Sequence, residues 1–303
     1  MNFREILDRS TFLTGPTGVG KTAVGLALAR RLGAEVVAMD SMTLYRGMDV
    51  GTAKPTPSER VEVSHHLIDV LDPWEPSSVS LYREWAVEAS RAIVDRGHAV
   101  LFVGGTALYM KALLRGLLEG PPADEAIRGE LEALPGDELH RRLASVDPPM
   151  ALRLHPNDRT RVVRAIEVFL LTGRSLSSMQ REHAEPSTHR RVFALERPRR
   201  EQVARIDRRV DAMMAAGLVE EVRGLLEAPR PIGLVAGKGV GYQQVIEYLR
   251  GERSLVETTE LIRLRTRQFA KRQMTWFRNL AEVQMVSIGG GESAADVVSR
   301  LGS

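Results

Sequence analysis

Cysteine is absent from the 303 residues. That excludes a disulfide framework, a thiolate zinc site and a cysteine nucleophile, and it fits a cytoplasmic location. Long hydrophobic runs are missing too. No stretch approaches the roughly 18 apolar residues of a membrane span. The opening segment MNFREILDRS has no basic n-region followed by an apolar h-region, so no signal peptide is expected. Neither sign of charge dominates: 42 Lys and Arg stand against 39 Asp and Glu, a net +3. Any nucleic-acid surface must therefore be a local patch. Lysine is scarce, with only Lys21, Lys54, Lys111, Lys238 and Lys271. In an arginine-rich chain, these are the positions where a compact ammonium is kept. Repeats, low-complexity tracts and Gly/Ser linkers are also lacking. The 43% hydrophobic and 27% charged residues exclude a disordered or fibrous chain. The length suits one large domain, or one domain with a sizeable insertion.

The first third alternates short apolar runs with helical patterns. Strands are expected at Thr11–Thr14, Glu35–Met39 and Ala99–Val103, and helices at Ala23–Leu32 and Tyr82–Asp95. Such alternation indicates a parallel sheet with helices on both faces. The character changes at Gly120-Pro121-Pro122. From there to about residue 190 only helical patterns occur, at Glu125–Leu134, Asp137–Ser145 and Arg159–Thr172, separated by prolines. Strands return at Arg191–Leu195 and Val283–Ile288. Between them lie helices at Gln202–Ala216, Leu218–Leu226, Tyr242–Leu249 and about Glu257–Leu280. The expectation is an α/β core (1–120 and 191–303) interrupted by an all-helical insertion (121–190).

Gly15-Pro16-Thr17-Gly18-Val19-Gly20-Lys21-Thr22 matches G-x-x-x-x-G-K-[ST] and lies between an expected strand and helix. Glycines let successive backbone N–H groups converge, and the following helix adds its positive end. Lys21 can reach terminal phosphate oxygens, and the Thr22 hydroxyl can sit on Mg2+. The fold expected is therefore that of P-loop NTPases. The motif leaves the phosphate open: ATP and GTP are the default ligands, and a diphosphate ester would use the same N–H groups. Two further absences narrow the choice. There is no guanine-reading N-K-x-D, and no apolar strand ends in the Asp-Glu pair common in hydrolytic motors.

Ligands of open α/β sheets bind at the carboxyl ends of the strands. Asp40-Ser41 follows one strand and Gly104-Gly105-Thr106 another, so both should face the phosphate crevice. Asp40 can serve as a general base or metal-linked carboxylate, or merely as a cap or turn residue. Gly104-Gly105 allows close approach of a ligand, or simply makes a tight turn. The polar, glycine-spaced segment Tyr45–Pro55 suits a substrate loop. His65-His66 is read as hydrogen-bonding rather than zinc-binding, because adjacent histidines rarely converge without a third ligand.

From Glu260 to Leu280 there are six basic residues (Arg263, Arg265, Arg267, Lys271, Arg272, Arg278) and one acid. At about 100° per residue from Arg263, residues Arg267, Lys271 and Arg278 fall near 40°, 80° and 60°. Phe269, Trp276 and Phe277 fall near 240°, 220° and 320°. One face is thus basic and the other apolar. A face with so few acids suits phosphate contact better than a plain solvated surface. Arg161 with Arg164, and the turn Lys238–Gln243, are further basic elements. Together they suggest a polyanion larger than a nucleotide.

These residues carry a resemblance. GPTGVGKT (Gly15–Thr22), DSMTLYRGMDVGTAKP (Asp40–Pro55), HHLIDVLDP (His65–Pro73), FVGGTALYMKALLRGL (Phe102–Leu117), HPNDRTRVVRAIEV (His155–Val168), VGYQ (Val240–Gln243) and TRQFAKRQMTWFR (Thr266–Arg278) resemble, in order, the bacterial-type tRNA dimethylallyltransferases, also called tRNA isopentenyltransferases. The resemblance implies transfer of a dimethylallyl group from dimethylallyl diphosphate to N6 of the adenine 3′ of the anticodon. It implies that Gly15, Pro16, Thr17, Gly18, Val19, Gly20, Lys21 and Thr22 hold the diphosphate, with Mg2+ at Thr22. Asp40 would be the base and Thr106 would lie near the reacting diphosphate. The tRNA contacts implied are Asp40, Ser41, Met42, Thr43 and Arg128; Thr160, Arg161 and Arg164; Lys238, Gly239, Val240, Gly241, Tyr242 and Gln243; and Lys271, Arg272, Gln273, Met274, Thr275, Trp276, Phe277 and Arg278. The insertion would grip the anticodon stem-loop, and the adenine would be extruded. No membrane and no obligate protein partner are expected, and the chain would act as a monomer. Two rivals remain. A P-loop small-molecule kinase leaves the basic helix idle, and a non-catalytic RNA-binding P-loop ATPase leaves Asp40 and Thr106 idle.

Overall fold

The structure, a computed structural model, describes residues 2–117, 120–182 and 191–301. Helix α1 (Phe3–Arg9) leads into β1 (Thr11–Thr14). There follow α2 (Lys21–Leu32), β2 (Ala34–Ala38), α3 (Pro57–Glu62), β3 (His65–His66), α4 (Val79–Asp95), β4 (Ala99–Val103) and α5 (Ala107–Arg115). Five helices come next: α6 (Glu125–Glu132), α7 (Gly136–Val146), α8 (Pro148–Arg153), α9 (Arg159–Thr172) and α10 (Leu176–Glu182). The chain then runs through β5 (Val192–Glu196), α11 (Arg199–Ala215), α12 (Leu218–Glu227), α13 (Leu234–Gly237), α14 (Tyr242–Leu249), α15 (Leu255–Arg278), β6 (Gln284–Ser287) and α16 (Ala294–Ser299). Two compact units result, Met1–Leu114 with Ser187–Ser303, and Arg115–Pro186. The helical unit thus begins at Arg115 rather than at Pro121. Its other boundary lies outside the described residues.

The larger unit is built on one parallel sheet in the order β3-β2-β4-β1-β5-β6. Strands buried on both faces need continuous apolar runs, which TFLT, AEVVA and AVLFV supply. Alternate residues serve opposite faces. Phe12, Val37, Phe102 and Val192 enter one core with Tyr82, Ile93, Met110 and Ile206. Leu13, Val36, Leu101 and Leu195 enter the other, with Val24 and Leu28 of α2 and Val297 and Val298 of α16. Phe12 and Phe102 face each other in register, their rings stacked at 4.6 Å. Near the amino end of β2, buried Glu35 takes two hydrogen bonds from Arg96. Ring nitrogens of His66 and His98 lie 2.6 and 2.7 Å from its oxygens. The Arg96 bonds, against the opposing effect of burial, hold this carboxyl down at about 2.

The helical unit has its own core, in which Leu131, Leu139, Leu143, Met150, Val162, Val163 and Ile166 pack together. Glu167, fully buried in this unit, sits inside a closed ring of donors. Arg128 Nε donates to it at 2.8 Å, Arg164 Nη1 at 2.5 Å and the Asp124 N–H at 2.8 Å.

Several elements lie outside what the pattern reading expected. Helices α1, α3, α8, α10, α13 and α16 span seven residues or fewer, too short for a periodic signal to emerge. Helix α5 follows Gly-Gly-Thr so directly that its apolar residues merge with those of β4. Strand β3 is only two residues, pairing Val36 with His65 and Val37 with His66.

Candidate functional site

The carboxyl ends of β1, β2 and β4 bring three loops together. After β1, residues Gly15, Gly18 and Gly20 all take positive φ (141°, 81° and 111°), which aims the intervening N–H groups inward. Val19 is buried and anchors the loop. Helix α2 starts at Lys21 with Gly20 as its N-cap, so no side chain covers its first N–H groups. Lys21 Nζ donates to the Gly15 and Pro16 carbonyls at 2.8 and 3.0 Å. Burial lowers the Lys21 ammonium to about 8, opposed by the charge of Asp40 and aided by Arg209.

At the end of β2, Asp40 Oδ1 accepts the Met42 N–H at 2.9 Å. This turn fixes the carboxylate, and Oδ2 has no hydrogen-bond partner among the described residues. At the end of β4, Thr106 Oγ1 accepts the Ser41 N–H at 3.1 Å, joining the two loops. The glycines before it serve packing rather than ligand approach. A Cβ on Gly104 would lie 2.0 Å from the Met39 carbonyl oxygen, and one on Gly105 would lie 2.5 Å from Gln273 Nε2. Gln273 itself is buried. Its Oε1 accepts the Thr17 N–H at 2.9 Å, and its Nε2 donates to the Gly105 carbonyl at 2.8 Å. It clamps the phosphate loop to the loop after β4.

Helix α11 and the residues just before it supply a set of side chains that the sequence reading missed. Arg205 Nε donates to the Gly18 carbonyl and Arg197 Nε to the Val19 carbonyl, both at 2.8 Å. Gln202 Nε2 donates to the Thr17 carbonyl at 3.0 Å, and Arg209 Nη2 to the Thr52 carbonyl at 3.2 Å. Burial lowers the pKa of Arg205 and of Arg209. Among the described residues no carboxylate pairs with Arg205, Arg208 or Arg209. The spacing 202, 205, 208 and 209 was the available signal, since it places these residues on one helix face.

Two cavities open beside these groups. One of about 540 Å³ is lined by the phosphate loop, Lys21, Thr22, Asp40, Arg205, Arg208 and Arg209. The other, of about 320 Å³, is mainly apolar. Met42, Ile206, Val210, Met213, Ile262 and Phe269 line it, with Thr106, Lys238 and Tyr242. Thr17, Asp40, Thr52 and Arg209 line both. An anion-binding chamber and an apolar chamber therefore share a wall that carries one carboxylate.

The family model described as IPP transferase matches residues 43–280, and one described as isopentenyl transferase matches residues 9–69. The chain belongs to the IPP transferase family. A relative named tRNA dimethylallyltransferase from Geobacter metallireducens is 49% identical over 291 residues, which covers 93% of each chain. One of the same name from Thermotoga maritima is 44% identical over 271 residues, covering 88% of each. The solved full-length tRNA isopentenylpyrophosphate transferase of Bacillus halodurans superposes with a TM-score of 0.72 at 36% identity, over 97% of this chain and 94% of that one. A eukaryotic dimethylallyltransferase acting on tRNA gives a TM-score of 0.75 at 25% identity, over 96% of this chain and 75% of that one. The fold expected from the phosphate loop is thus the family's P-loop NTPase-like fold.

Within this family member, Gly15–Thr22, Asp40–Thr43, Thr106 and Lys238–Gln243 all line one or other cavity or the loops that frame them. Thr43 and Tyr242 are buried there; the Tyr242 hydroxyl donates to Glu221 Oε1 at 2.6 Å. Gln243 bonds Glu247 on its own helix. On α15 the expected faces need correction. The buried stripe is Ile262, Ala270, Gln273 and Phe277, whereas Phe269 and Trp276 are 36% and 42% exposed. Most of the basic face is neutralised by acids, chiefly from other elements. Arg263 pairs with Asp211 and Glu260, Arg267 with Asp207 at 2.6 Å, and Arg278 with Glu196 at 3.1 Å. Lys271 is exposed with no carboxylate partner among the described residues, and Arg272 lies over the Phe269 ring. Met274 is partly buried, and Thr275 is exposed and bonds the Lys271 carbonyl. In the helical unit, Thr160 is exposed and Arg161 pairs with Asp158 at 3.1 Å. Arg128 and Arg164 grip Glu167. No group of three or more His, Asp or Glu is placed to hold a metal ion among the described residues. No described helix is long and apolar enough to cross a membrane.

Proposed function

We propose that this chain transfers the dimethylallyl group of dimethylallyl diphosphate to N6 of the adenine 3′ of the anticodon in tRNA. One observation carries the reading: Asp40 lies on the wall shared by a chamber built for anionic oxygens and an apolar chamber. A reaction between a diphosphate ester and an aromatic base needs a carboxylate where the two meet.

The diphosphate binds in the larger cavity against the loop N–H groups, Lys21, Arg205 and Arg209. The adenine enters the apolar cavity. Its amine is a poor nucleophile, because the lone pair is delocalised into the ring. As N6 attacks C1 of the donor, the N6–C1 bond forms, the C1–O bond breaks and the N6 proton passes to Asp40. Charge then builds on the departing oxygen, where Lys21 and the loop N–H groups are already aimed. Thr106 accepts from Ser41 and so has its own O–H to donate towards the reacting groups. Thr22 and Asp40 are oxygen donors lining one cavity, a set that suits a hard cation. Mg2+ at Thr22 would neutralise charge on the leaving diphosphate. The exposed Lys271, Arg272 and Trp276 and the turn Lys238–Gln243 bind tRNA, and the helical unit supplies further contacts to it. The enzyme works in the cytoplasm, as a monomer.

The test is a nucleoside digest, read by mass spectrometry, of unmodified tRNA incubated with the protein, Mg2+ and dimethylallyl diphosphate. An adenosine gaining one dimethylallyl group is the expected product. Folded, tRNA-binding protein that yields none would overturn the reading.

A further inference from the structure

Glu221 lies on α12, outside every motif considered above, yet four donors converge on its carboxylate. Oε2 accepts the N–H groups of Asp49 and Val50 at 2.9 and 2.7 Å. Oε1 accepts the Gly51 N–H at 3.2 Å and the Tyr242 hydroxyl at 2.6 Å. Three successive backbone amides and a side chain from the Lys238–Gln243 turn are thus gathered on one anion. Gly51 is pressed so closely on Tyr242 that a Cβ would lie 2.5 Å from its ring. The next residue is Thr52, which lines both cavities, and its carbonyl accepts Arg209. Lys54 holds the far side of the same loop, donating to the Tyr45 carbonyl, Asp49 and Asp69.

We infer that Glu221 is a positioning residue for the transfer reaction: by holding Asp49–Gly51 it fixes the Thr52 carbonyl, which aims the Arg209 guanidinium into the chamber for the diphosphate. The inference rests on the function proposed above. Only a carboxylate satisfies all four donors, because each oxygen takes two of them. An amide offers one acceptor oxygen and turns its NH2 towards the remaining donors. Glu221→Gln therefore keeps the shape and volume of the side chain while breaking one half of the array. The loop then loses its register, and Arg209 loses the carbonyl that orients it.

The experiment is a double-mutant cycle read by calorimetric titration of inorganic diphosphate with Mg2+, on the full chain. Arg209→Gln and Glu221→Gln are each expected to weaken binding, the second by about tenfold, equivalent to about 1.4 kcal/mol. The double variant is expected to bind no more weakly than Arg209→Gln alone, because Glu221 acts through that arginine. Tyr242→Phe removes one of the four bonds with little disturbance of packing, and should give a loss of a few fold in the same direction. It keeps the test open if Glu221→Gln fails to fold. Additive losses, or unchanged affinity in both Glu221→Gln and Tyr242→Phe, would overturn the inference and leave the proposed function standing. Wild-type protein that binds no diphosphate would overturn both.

Discussion

Arginine does opposite jobs in the two units. In the helical unit, Arg128 and Arg164 close on the buried carboxylate of Glu167, and their charge is consumed inside the structure. In the larger unit, Arg205, Arg208 and Arg209 line a cavity with no carboxylate pairing them among the described residues. Arg205 and Arg209 are held only by backbone carbonyls, which orient a guanidinium without cancelling its charge. A buried pair satisfies itself, whereas cations that no carboxylate pairs carry a desolvation cost that an anionic ligand offsets. The contrast locates the chemistry. Neutralising a member of the open set should impair function and spare the fold; neutralising the centre of the closed set should do the reverse.

The largest effect is expected at Asp40, the one acid on the wall between the chambers. Asp40→Asn keeps the Met42 turn but removes the base, so turnover should fall by at least about 100-fold. Affinity for an anticodon stem-loop and the melting temperature should hold. Single-turnover transfer assays settle the matter, and near-normal rates would remove Asp40 from the mechanism. The mirror experiment is Glu167→Gln. It strands two arginines around a neutral amide and should cost about 3 kcal/mol in denaturant unfolding. Loss of less than about 1 kcal/mol would mean that Arg128 and Arg164 do not depend on that carboxylate.

Arg209→Gln comes next. It removes a charge-assisted hydrogen bond of about 1.5–3 kcal/mol, hence roughly 10- to 100-fold in diphosphate affinity. Unfolding should hardly change, since Arg209 grips only one carbonyl. A second closed set, at Glu35, predicts a pH effect. The carboxyl is held at about 2 in the fold, below its ordinary 4.5. A depressed carboxyl contributes stability that is fully present above its unfolded value and is lost as pH falls towards its folded one. Glu35→Gln should thus lower stability at neutral pH and flatten the acid-side decline between about 4.5 and 2. Parallel curves for the two proteins below pH 4.5 would show that Glu35 is not the group responsible.

The open set was legible in part. Gly15–Thr22, Asp40 and Thr106 are close in sequence to the strands that carry them, and the rule that ligands bind beyond the carboxyl ends of parallel strands places them together. The centre of the sheet was legible because β1, β2 and β4 are apolar on both faces. The arginines of α11 were not, because nothing local links residue 205 to residue 18. Their approach depends on how α11 packs over the phosphate loop. The closed set was misread because basic residues were grouped with one another and not with the acids beside them, on the same helix or another. Arg164 looks like half of a basic pair until Glu167 is seen to be buried beside it. Arg263 and Arg267 look exposed until Asp211 and Asp207 arrive from α11. Gln273 and Phe277 sit within a motif whose neighbours face solvent, and only the helix's buried stripe tells them apart.

That last point gives the smallest and most discriminating prediction, on α15 itself. Helical spacing puts Arg267 and Lys271 on one face, one turn apart, and a count of charges treats them as equals. In the structure Arg267 makes two bonds to Asp207, at 2.9 and 2.6 Å, whereas Lys271 has no acid beside it among the described residues. An ammonium with no internal partner can neutralise a phosphate and release a counterion; a guanidinium already paired cannot do so without breaking its pair. Lys271→Ala should therefore weaken anticodon stem-loop binding a few fold and reduce the slope of log affinity against log salt by about one. Arg267→Ala should leave that slope unchanged and show its cost in stability instead. Equal slopes for the two variants would mean that the Arg267–Asp207 pair opens when RNA arrives, so that the division between closed and open arginines does not extend to α15.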